Sequence, residues 1–383
     1  MNILILGAGR MGFGASWDLI HNSPVDHVTV ADVDPARLAE LEAKVGSSKL
    51  TIQRADVEDR ETTLALMKGH DAIISCVVYR HNVELARLAI AAGANFCDLG
   101  GNNDVVAAEL ALDSDAKRAG VNVIPDCGLA PGMVSILVMH ALARLDSVEG
   151  VHIRVGGLPQ KPRPPLDYQL VFSVEGLINE YIEPAQVIRD GRILTIPSMT
   201  EVESLSFPSF PTLEAFQTSG GTSTLPDTLL GRVRELDYKT IRYAGHCEKF
   251  KTMIDLGLCS SEGIQVHGAD VTPRRLFGEL LMKNLPADEP DFVLIRVEAV
   301  GIKGATRQRI RYDIVDRYDE KTGLSAMMRT TAFPASIVAQ MMASGVTTAK
   351  GALPQERCIP IQPFIDELAR RDIRIVEQTE FLP

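Results

Sequence analysis

Several patterns that would mark an unusual class of protein are missing from this sequence. Its six cysteines are scattered along 383 residues and form no CxxC pair. No apolar run approaches the roughly 18 residues that a membrane-spanning helix needs. The first residues, 1–7, carry neither a basic leader nor a small-residue cleavage site. We therefore expect reduced thiols, a cytoplasmic location and no membrane partner.

Positive charge is also scarce. Lysine and arginine number 39 against 50 aspartates and glutamates, which gives a net charge of −11. A general nucleic-acid or anionic-membrane surface needs clustered positive charge, so we expect neither partner. Arg307, Arg309 and Arg311 form a stripe in the sequence, and we interpret it as the solvated face of a strand rather than a polyanion site.

Two further catalytic classes find no support. No G-x-S-x-G segment is present, so the nucleophile turn of the serine hydrolases is missing. His246, Cys247 and Cys259 have a spacing that matches no structural zinc pattern. We expect no metal.

A glycine motif at the start of the chain indicates a dinucleotide site. Gly7, Gly9 and Gly12 fit G-x-G-x-x-G, with an apolar segment before them and a helical pattern after them. In such a motif the glycines permit a tight turn, the approach of a pyrophosphate and close packing of helix on strand. Asp32, which ends the next predicted strand, suits the hydrogen bonds of an adenosine ribose and would repel a 2′-phosphate. The alternative is that Asp32 only caps the next helix, but Asp34 is better placed for that. We predict NAD rather than NADP.

The motif opens a series of alternating strands and helices. Strands are predicted at 3–6, 28–31, 50–54, 72–75, 94–97 and 121–124. This alternation predicts a Rossmann-type, doubly wound parallel sheet within an α/β fold, with ligands at the carboxyl ends of its strands. Of the groove residues, Cys76 is expected to pack against the cofactor rather than act as a nucleophile. The predicted cofactor-binding residues are the three glycines with Arg10, Met11, Asp32, Asp56, Val57, Ser75, Cys76, Val77, Leu99 and Gly128.

Beyond residue 125 the pattern changes. Pro131 is expected at the first position of a helix over 133–142. Strands are predicted at 151–156, 168–172, 292–300 and 306–315, and the last two alternate apolar and charged residues as an antiparallel hairpin does. A helix is expected to open at Pro334 and to close at Gly345. We predict a dinucleotide-binding domain over 1–125 with a C-terminal return over 334–383. The second α/β domain, over 126–333, is expected to have a mixed, largely antiparallel sheet.

Three polar segments of the second domain could bind a substrate. One holds Ser173 and Glu175, the second holds Thr218, and the third holds Arg242 with two neighbours, Tyr243 and His246. Each has a structural alternative: Ser173 as a helix cap, Thr218 as a turn residue and Arg242 as the partner of a surface acid.

Taken in order, these segments resemble the saccharopine dehydrogenase-like family. The resemblance runs nearly end to end and is carried by residues 7–12, 126–132, 155–159, 172–176, 214–216, 239–243 and 245–246. It implies a Rossmann domain and an α/β domain whose sheet takes part in a homodimer or higher homo-oligomer. It also implies NAD(P)-dependent chemistry at a carbon–nitrogen bond of a small amino-acid substrate.

Within that family the chain looks most like the members that oxidise the ε-amine of L-lysine to allysine. Hydride can leave only when the ε-nitrogen has a free lone pair. With a pKa of about 10.4, about one lysine ε-amine in 2,500 is neutral at pH 7, a shortfall of about 4.6 kcal/mol. Glu175 and His246 are the candidates for the catalytic base.

The candidate substrate residues lie in the three polar segments of the second domain. Arg242 is expected to bind the substrate α-carboxylate, because a guanidinium binds carboxylates bidentately. Tyr243 and Thr218 are expected to orient the amine, and Ser173 completes the predicted substrate set. Two alternatives stay open: a saccharopine-type dehydrogenase that acts on a secondary amine, and a catalytically silent NAD-binding regulator.

Overall fold

The computed structural model describes residues 1–383, in eighteen strands and fourteen α-helices. The strands are β1 (Asn2–Leu6), β2 (His27–Asp32), β3 (Leu50–Arg54), β4 (Ala72–Ser75), β5 (Asn95–Asp98), β6 (Asn122–Ile124), β7 (Ser147–Pro159), β8 (Ala185–Arg189), β9 (Arg192–Ile196), β10 (Glu203–Leu205), β11 (Leu213–Gln217), β12 (Glu235–Tyr243), β13 (Ile264–Val266), β14 (Ala269–Val271), β15 (Asp291–Lys303), β16 (Thr306–Arg317), β17 (Gly351–Ala352) and β18 (Val376–Leu382).

The helices lie between these strands. They are α1 (Arg10–Asn22), α2 (Pro35–Val45), α3 (Arg60–Met67), α4 (Asn82–Ala92), α5 (Asn103–Leu110), α6 (Asp113–Ala119), α7 (Met133–Leu142), α8 (Val174–Ile182), α9 (Leu225–Leu229), α10 (His246–Asp255), α11 (Pro273–Asn284), α12 (Ala326–Ala343), α13 (Gln355–Cys358) and α14 (Ile361–Arg370). None of these helices combines the length and the apolar character required for crossing a bilayer.

The chain divides into two compact units. Unit 1 comprises Met1–His140, Ser223–Leu225 and Met328–Arg374. Unit 2 comprises Ala141–Thr222, Pro226–Met327 and Ile375–Pro383. The C-terminal segment returns to unit 1 over 328–374, and its last strand, β18, then pairs with β16 in the sheet of unit 2.

Unit 1 contains the predicted parallel sheet. Its seven strands run in the order β17-β6-β5-β4-β1-β2-β3, and every neighbouring pair is parallel. Ile3 to Leu6 of β1 are fully buried, as expected for a central strand that is covered on both faces. The doubly wound fold class is thus confirmed, and β17 adds a seventh strand to the six that the sequence pattern indicates.

Unit 2 contains a mixed sheet of nine strands. Its main path is β10-β11-β12-β7-β15-β16-β18, with β8 and β9 attached beside β12. Only β7 and β12 pair in parallel, so the sheet is largely antiparallel, as predicted. The arginine stripe lies on β16, where Arg311 Nε donates to Glu298 at 2.6 Å and Arg309 Nη1 donates to Glu380 at 2.9 Å. The charges of these arginines are therefore compensated within the sheet.

Two local predictions are wrong. Residues 168–172 form no strand, and only Leu170 makes a single bridge, to Ala287. Their apolar side chains pack instead into a cluster with residues of α8, α10 and α11, so burial rather than pairing explains the apolar run. Pro131 is not the first residue of α7, because it lies in a tight turn that precedes the helix: Met133, the first helical residue, donates from its N to Gly128 O at 2.9 Å.

A third prediction misplaces the start of α12. Pro334 lies inside this helix, which begins at Ala326. The reason is a distant cap: the Asp291 carboxylate accepts hydrogen bonds from Ala326 N at 2.7 Å and Met327 N at 3.0 Å. A cap supplied by a residue 35 positions earlier leaves no signal in the local sequence.

A buried ion cluster fastens the end of α14 to α1 within unit 1. Arg371 Nε donates to both carboxylate oxygens of Asp18, at 2.8 and 2.9 Å, and both side chains are 0% exposed. The same guanidinium donates to Glu367 and to Ser23 Oγ. Burial raises the pKa of Asp18, and the Arg371 charge opposes that shift.

Removing this arginine should therefore destabilise unit 1 strongly. Arg371→Met leaves Asp18 buried without its cation, and we expect the free energy of unfolding to fall by about 3–5 kcal/mol. Arg374→Met is the matched control, because Arg374 is 82% exposed and pairs only with Asp372, at 2.8 Å; it should cost at most about 1 kcal/mol. Chemical denaturation followed by circular dichroism measures both, and equal losses would contradict the prediction.

Candidate functional site

In unit 1 the glycine turn, residues 7–12, has the geometry that a dinucleotide requires. Gly7 has φ +102°, and a Cβ there would lie 2.9 Å from Cys76 O. A Cβ on Gly9 would meet no atom within 4 Å, so this position faces open space. A Cβ on Gly12 would lie 1.8 Å from Gly7 O, which shows how closely α1 approaches the turn. These three environments match the turn, the pyrophosphate approach and the packing that the motif predicts.

Asp32 braces this turn. Its Oδ2 accepts a hydrogen bond from Ala8 N at 2.7 Å, and its Oδ1 accepts one from Asp34 N at 2.8 Å. Asp34 is the residue that caps α2, through a bond from Ala36 N at 2.9 Å. The capping alternative for Asp32 is therefore wrong, and two carboxylates stand at the carboxyl end of β2.

The other predicted groove residues differ in exposure. Ser75 is buried and its hydroxyl donates to Asn82 Oδ1 at 2.8 Å, so it serves the packing of β4. Burial keeps the pKa of the Cys76 thiol well above its usual range, which suits an apolar contact rather than a nucleophile. Asp56 is exposed, Gly128 is buried, and the half-buried positions are Arg10, Met11, Val57, Cys76, Val77 and Leu99.

Three buried carboxyl groups meet where β5 and β6 end, and we call them the carboxyl cluster: Asp98, Glu109 and Asp126. Asp98 Oδ1 accepts hydrogen bonds from Gly100 N at 2.6 Å and Asp126 N at 3.2 Å. Ser223 donates to Asp126 Oδ2. Burial and the Asp98 charge raise the pKa of Asp126 to about 8 and that of Glu109 to about 11. At neutral pH this cluster therefore holds protons that ordinary carboxylates have lost.

In unit 2, seven side chains form what we call the arginine cluster: Tyr168, Glu180, Tyr181, Thr218, Thr240, Arg242 and His246. Its centre is Arg242, whose side chain is 4% exposed. The guanidinium carbon lies 4.9 Å from the ring centre of Tyr168 and 5.7 Å from that of Tyr181. Nε donates to Tyr181 Oη at 2.8 Å and Nη1 donates to Ile241 O at 2.9 Å. Nη2 makes no hydrogen bond within the protein.

His246 supports this arginine through Tyr181. Its Nδ1 lies 2.9 Å from Leu166 O, and because a carbonyl can only accept, we assign the proton to Nδ1. Nε2 then accepts from Tyr181 Oη at 3.1 Å, while the same hydroxyl accepts from Arg242 Nε. Burial, with the nearby Arg242 charge, lowers the pKa of His246 to about 3. The imidazole is uncharged at neutral pH and both of its nitrogens are occupied.

The structure brings some predicted substrate residues together and separates others. Arg242, Thr218 and His246 lie in the arginine cluster. Tyr243 points to the opposite face of β12, because side chains alternate along a strand, and its hydroxyl donates to Pro159 O at 2.9 Å. Ser173 caps α8 through a bond from Gly176 N at 3.1 Å, and Glu175 is exposed in the first turn of that helix.

Sequence reasoning missed the acid of the arginine cluster, Glu180. Its Oε1 accepts from Thr240 Oγ1 at 2.6 Å and from Thr218 Oγ1 at 3.3 Å, and the two hydroxyls are 2.7 Å apart. A signal was available: Leu177, Ile178 and Tyr181 form the buried face of α8, and Glu180 stands beside that face. Asp98 and Glu109 were also missed, since each lies in an element whose pattern is otherwise ordinary.

The environment of Gly9 predicts a mutation that separates binding from folding. Gly9 has φ −73°, which alanine adopts readily, so Gly9→Ala should fold with a nearly unchanged Tm. Its new methyl group would occupy the open space, and we expect dinucleotide binding to weaken by about 1–3 kcal/mol. Gly12→Ala is the contrasting variant, because its Cβ meets Gly7 O and should lower Tm. Unchanged NADH affinity in Gly9→Ala, measured by fluorescence titration, would contradict this.

The carboxyl cluster predicts that stability falls as the pH rises from acidic to mildly alkaline values. The pKa of Asp126 is about 8 in the folded state against 3.8 for the free side chain, so folding favours the protonated form. This contribution to stability is fully present below the unfolded value and is lost as the pH rises through about 8. Tm should therefore fall as the pH rises from about 4 to about 8 and should lose little more from this residue above that, and Asp126→Asn, which cannot ionise, should show a flatter profile over this range. Parallel profiles would refute the assignment.

Comparison with known proteins finds two family domains in this chain. Residues 3–124 match the saccharopine dehydrogenase NADP binding domain, and residues 128–373 match the saccharopine dehydrogenase C-terminal domain. A saccharopine dehydrogenase [NADP(+), L-glutamate-forming] from Pyricularia oryzae is 25% identical over 322 residues, which cover 80% of this chain and 69% of that protein. The mitochondrial alpha-aminoadipic semialdehyde synthase of Bos taurus is 22% identical over 282 residues, 71% of this chain but only 30% of that protein.

The fold has a solved counterpart. The apo saccharopine dehydrogenase (L-Glu forming) from Saccharomyces cerevisiae superposes with a TM-score of 0.81 and covers 99% of both chains at 19% sequence identity. At that identity the superposition establishes the fold alone. The two domain matches span nearly all of the sequence in the order in which the domains occur here. The chain therefore belongs to the saccharopine dehydrogenase family.

Proposed function

We propose that this protein is an NAD-dependent amino-acid dehydrogenase that oxidises the ε-carbon of L-lysine. The protonated ε-amine of lysine, NAD and water give allysine, ammonium, NADH and one proton, and allysine then cyclises onto its own α-amine. The C–H bond breaks with hydride transfer to the nicotinamide, and water hydrolyses the resulting imine. The names of the family relatives support amino-acid C–N chemistry of this class.

The observation that carries the proposal is the free donor of Arg242. A buried guanidinium with two of its nitrogens already bonded presents one edge in a fixed direction. Aromatic rings on two sides hold the charge in place and exclude water from it. A substrate carboxylate would bind there with a charge-assisted bond in a poorly solvated site. An amino acid is thus favoured over a simple amine.

NAD is favoured over NADP by the residues around the glycine turn. Asp32 and Asp34 place two carboxylates at the end of β2, where the adenosine ribose binds in this kind of fold. Their charge would repel a 2′-phosphate. The family domain and the Pyricularia oryzae relative carry NADP in their names, so the activity assay should compare both cofactors.

The protein must also favour the uncharged form of the substrate's ε-amine. Desolvation of the ε-ammonium recovers part of the cost of deprotonation, since burial disfavours the charged form of an amine. Of the two predicted bases, Glu175 is exposed at the start of α8, and His246 would have to give up its bond from Tyr181. The geometry supports a positioning role for His246, and the base remains a prediction for these two residues.

A saccharopine-type reaction is the second candidate, because relatives with that activity in their names match the chain. Saccharopine carries an additional dicarboxylate arm, which calls for another cation near Arg242. Lys239 is the next cation along β12, but it lies on the opposite face and donates to Glu203 Oε2 at 2.8 Å. Lysine is therefore the better match.

Measurement of NADH or NADPH formation at 340 nm tests the proposal. We expect turnover with lysine and NAD, and much weaker turnover with ornithine, with saccharopine or with NADP. Turnover of saccharopine alone would establish the second candidate. Binding of NAD without turnover of any amine would support the catalytically silent regulator and would overturn the proposal.

Arg242→Ala tests the substrate assignment. The variant should raise KM for lysine by at least tenfold but change KM for cadaverine, which lacks the carboxylate, by much less, because a charge-assisted bond contributes about 1.5–3 kcal/mol. Arg307→Ala is the control, since the Arg307 side chain is exposed on β16 and pairs with Glu149 at 2.8 Å. Equal losses for the two amines in Arg242→Ala would refute the role.

A further inference from the structure

Glu180 and Arg242 present opposite charges that do not touch. Glu180 Oε2 lies 4.0 Å from Arg242 Nη2, which is too far for a hydrogen bond. The Arg242 side chain is 4% exposed and that of Glu180 is 18% exposed, so the carboxylate can still be reached from solvent. A simple ion pair in such a site would be expected to close to contact, because an unmade bond between buried charges costs free energy.

The gap is kept open by the partners of each group. Thr218 and Thr240 both donate to Glu180 Oε1 and leave Oε2 without a hydrogen-bond donor. Arg242 is held from its other side by Tyr181 and by Ile241 O, which leave Nη2 without an acceptor. One free acceptor and one free donor therefore stand side by side, 4.0 Å apart, without a hydrogen bond between them.

We propose that Glu180 and Arg242 together bind the zwitterionic head group of the substrate, with Glu180 Oε2 accepting from the α-ammonium and Arg242 Nη2 donating to the α-carboxylate. The ammonium and carboxylate of an α-amino acid are attached to one carbon, so they match an acceptor and a donor that stand side by side. This inference rests on the proposed function and deepens it: the site selects α-amino acids and not carboxylates in general. Thr218 and Thr240 are then positioning residues for Glu180.

The test uses ligands that cannot undergo ε-oxidation. L-norleucine has the α-amino-acid head group without an ε-amine, and hexanoate has the same carbon chain without the α-ammonium. Calorimetric titration of the full chain, with NAD present, should show norleucine binding at least tenfold more tightly than hexanoate, the range expected for one charge-assisted bond. Equal binding of the two ligands would overturn the proposal.

The variant Glu180→Gln should remove most of that preference. Glutamine keeps an oxygen for Thr240 but loses the charge, so norleucine affinity should fall to within about threefold of hexanoate affinity, which should change little. Thr240→Val, which frees Glu180 from one of its two donors, should reduce the preference partially and is the second test should Glu180→Gln fold poorly. Glu279→Gln, on the exposed face of α11, is the matched control and should keep the full preference for norleucine over hexanoate.

Two results contradict the assignment. One is an unchanged preference in Glu180→Gln and Thr240→Val, and the other is loss of the preference in Glu175→Gln, which would place the ammonium site at the start of α8. Because norleucine binding does not depend on ε-amine oxidation, the proposal can fail or hold independently of turnover. If lysine forms no NADH while norleucine is still preferred, the proposed reaction falls and the head-group site stands.

Discussion

The burial of one guanidinium governs the chemistry available in unit 2. Arg242 lies against the rings of Tyr168 and Tyr181, and its buried charge is unfavourable unless its donors are satisfied. Tyr181 and a backbone carbonyl satisfy two of its nitrogens, and His246 fixes the hydroxyl of Tyr181. The hydrogen bonds around Arg242 therefore hold it in one orientation and leave Nη2 without a hydrogen bond.

The same principle of satisfied and unsatisfied groups explains Glu180. Two threonine hydroxyls hold one of its oxygens, and the other faces the arginine without contact. A fully paired network would have served stability alone. A network that leaves one donor and one acceptor unbonded is less stable than a fully paired one, and under the proposal these two atoms are already in place to bind the substrate head group.

In unit 1 the function depends on the backbone more than on side chains. In the glycine turn a Cβ would clash at Gly7 and at Gly12, whereas Gly9 faces open space that a dinucleotide could approach. Spacing alone could predict this turn, because motif, strand and helix are contiguous in the chain. Asp32 was likewise predictable by its place at the end of β2, although its bond to Ala8 N was not.

Contacts between residues far apart in the chain could not be predicted from the spacing of neighbouring residues. The cap that Asp291 provides for α12, the meeting of Asp98 with Asp126, and the hydroxyl pair that holds Glu180 join residues separated by between 22 and 60 positions. Arg242 and Tyr243 are neighbours in the sequence and were predicted to share a site. The alternation of side chains along β12 puts them on opposite faces of the sheet.

The sequence by itself determined the alternation of strands and helices, the glycine turn and the change to an antiparallel sheet, because each is encoded in neighbouring residues whose spacing follows a backbone period. Only the tertiary structure decided which polar side chains share a site and which of their atoms stay unbonded. These depend on how distant strands and helices pack, and the free energy of each buried group is set by all of its neighbours together rather than by its position in the chain.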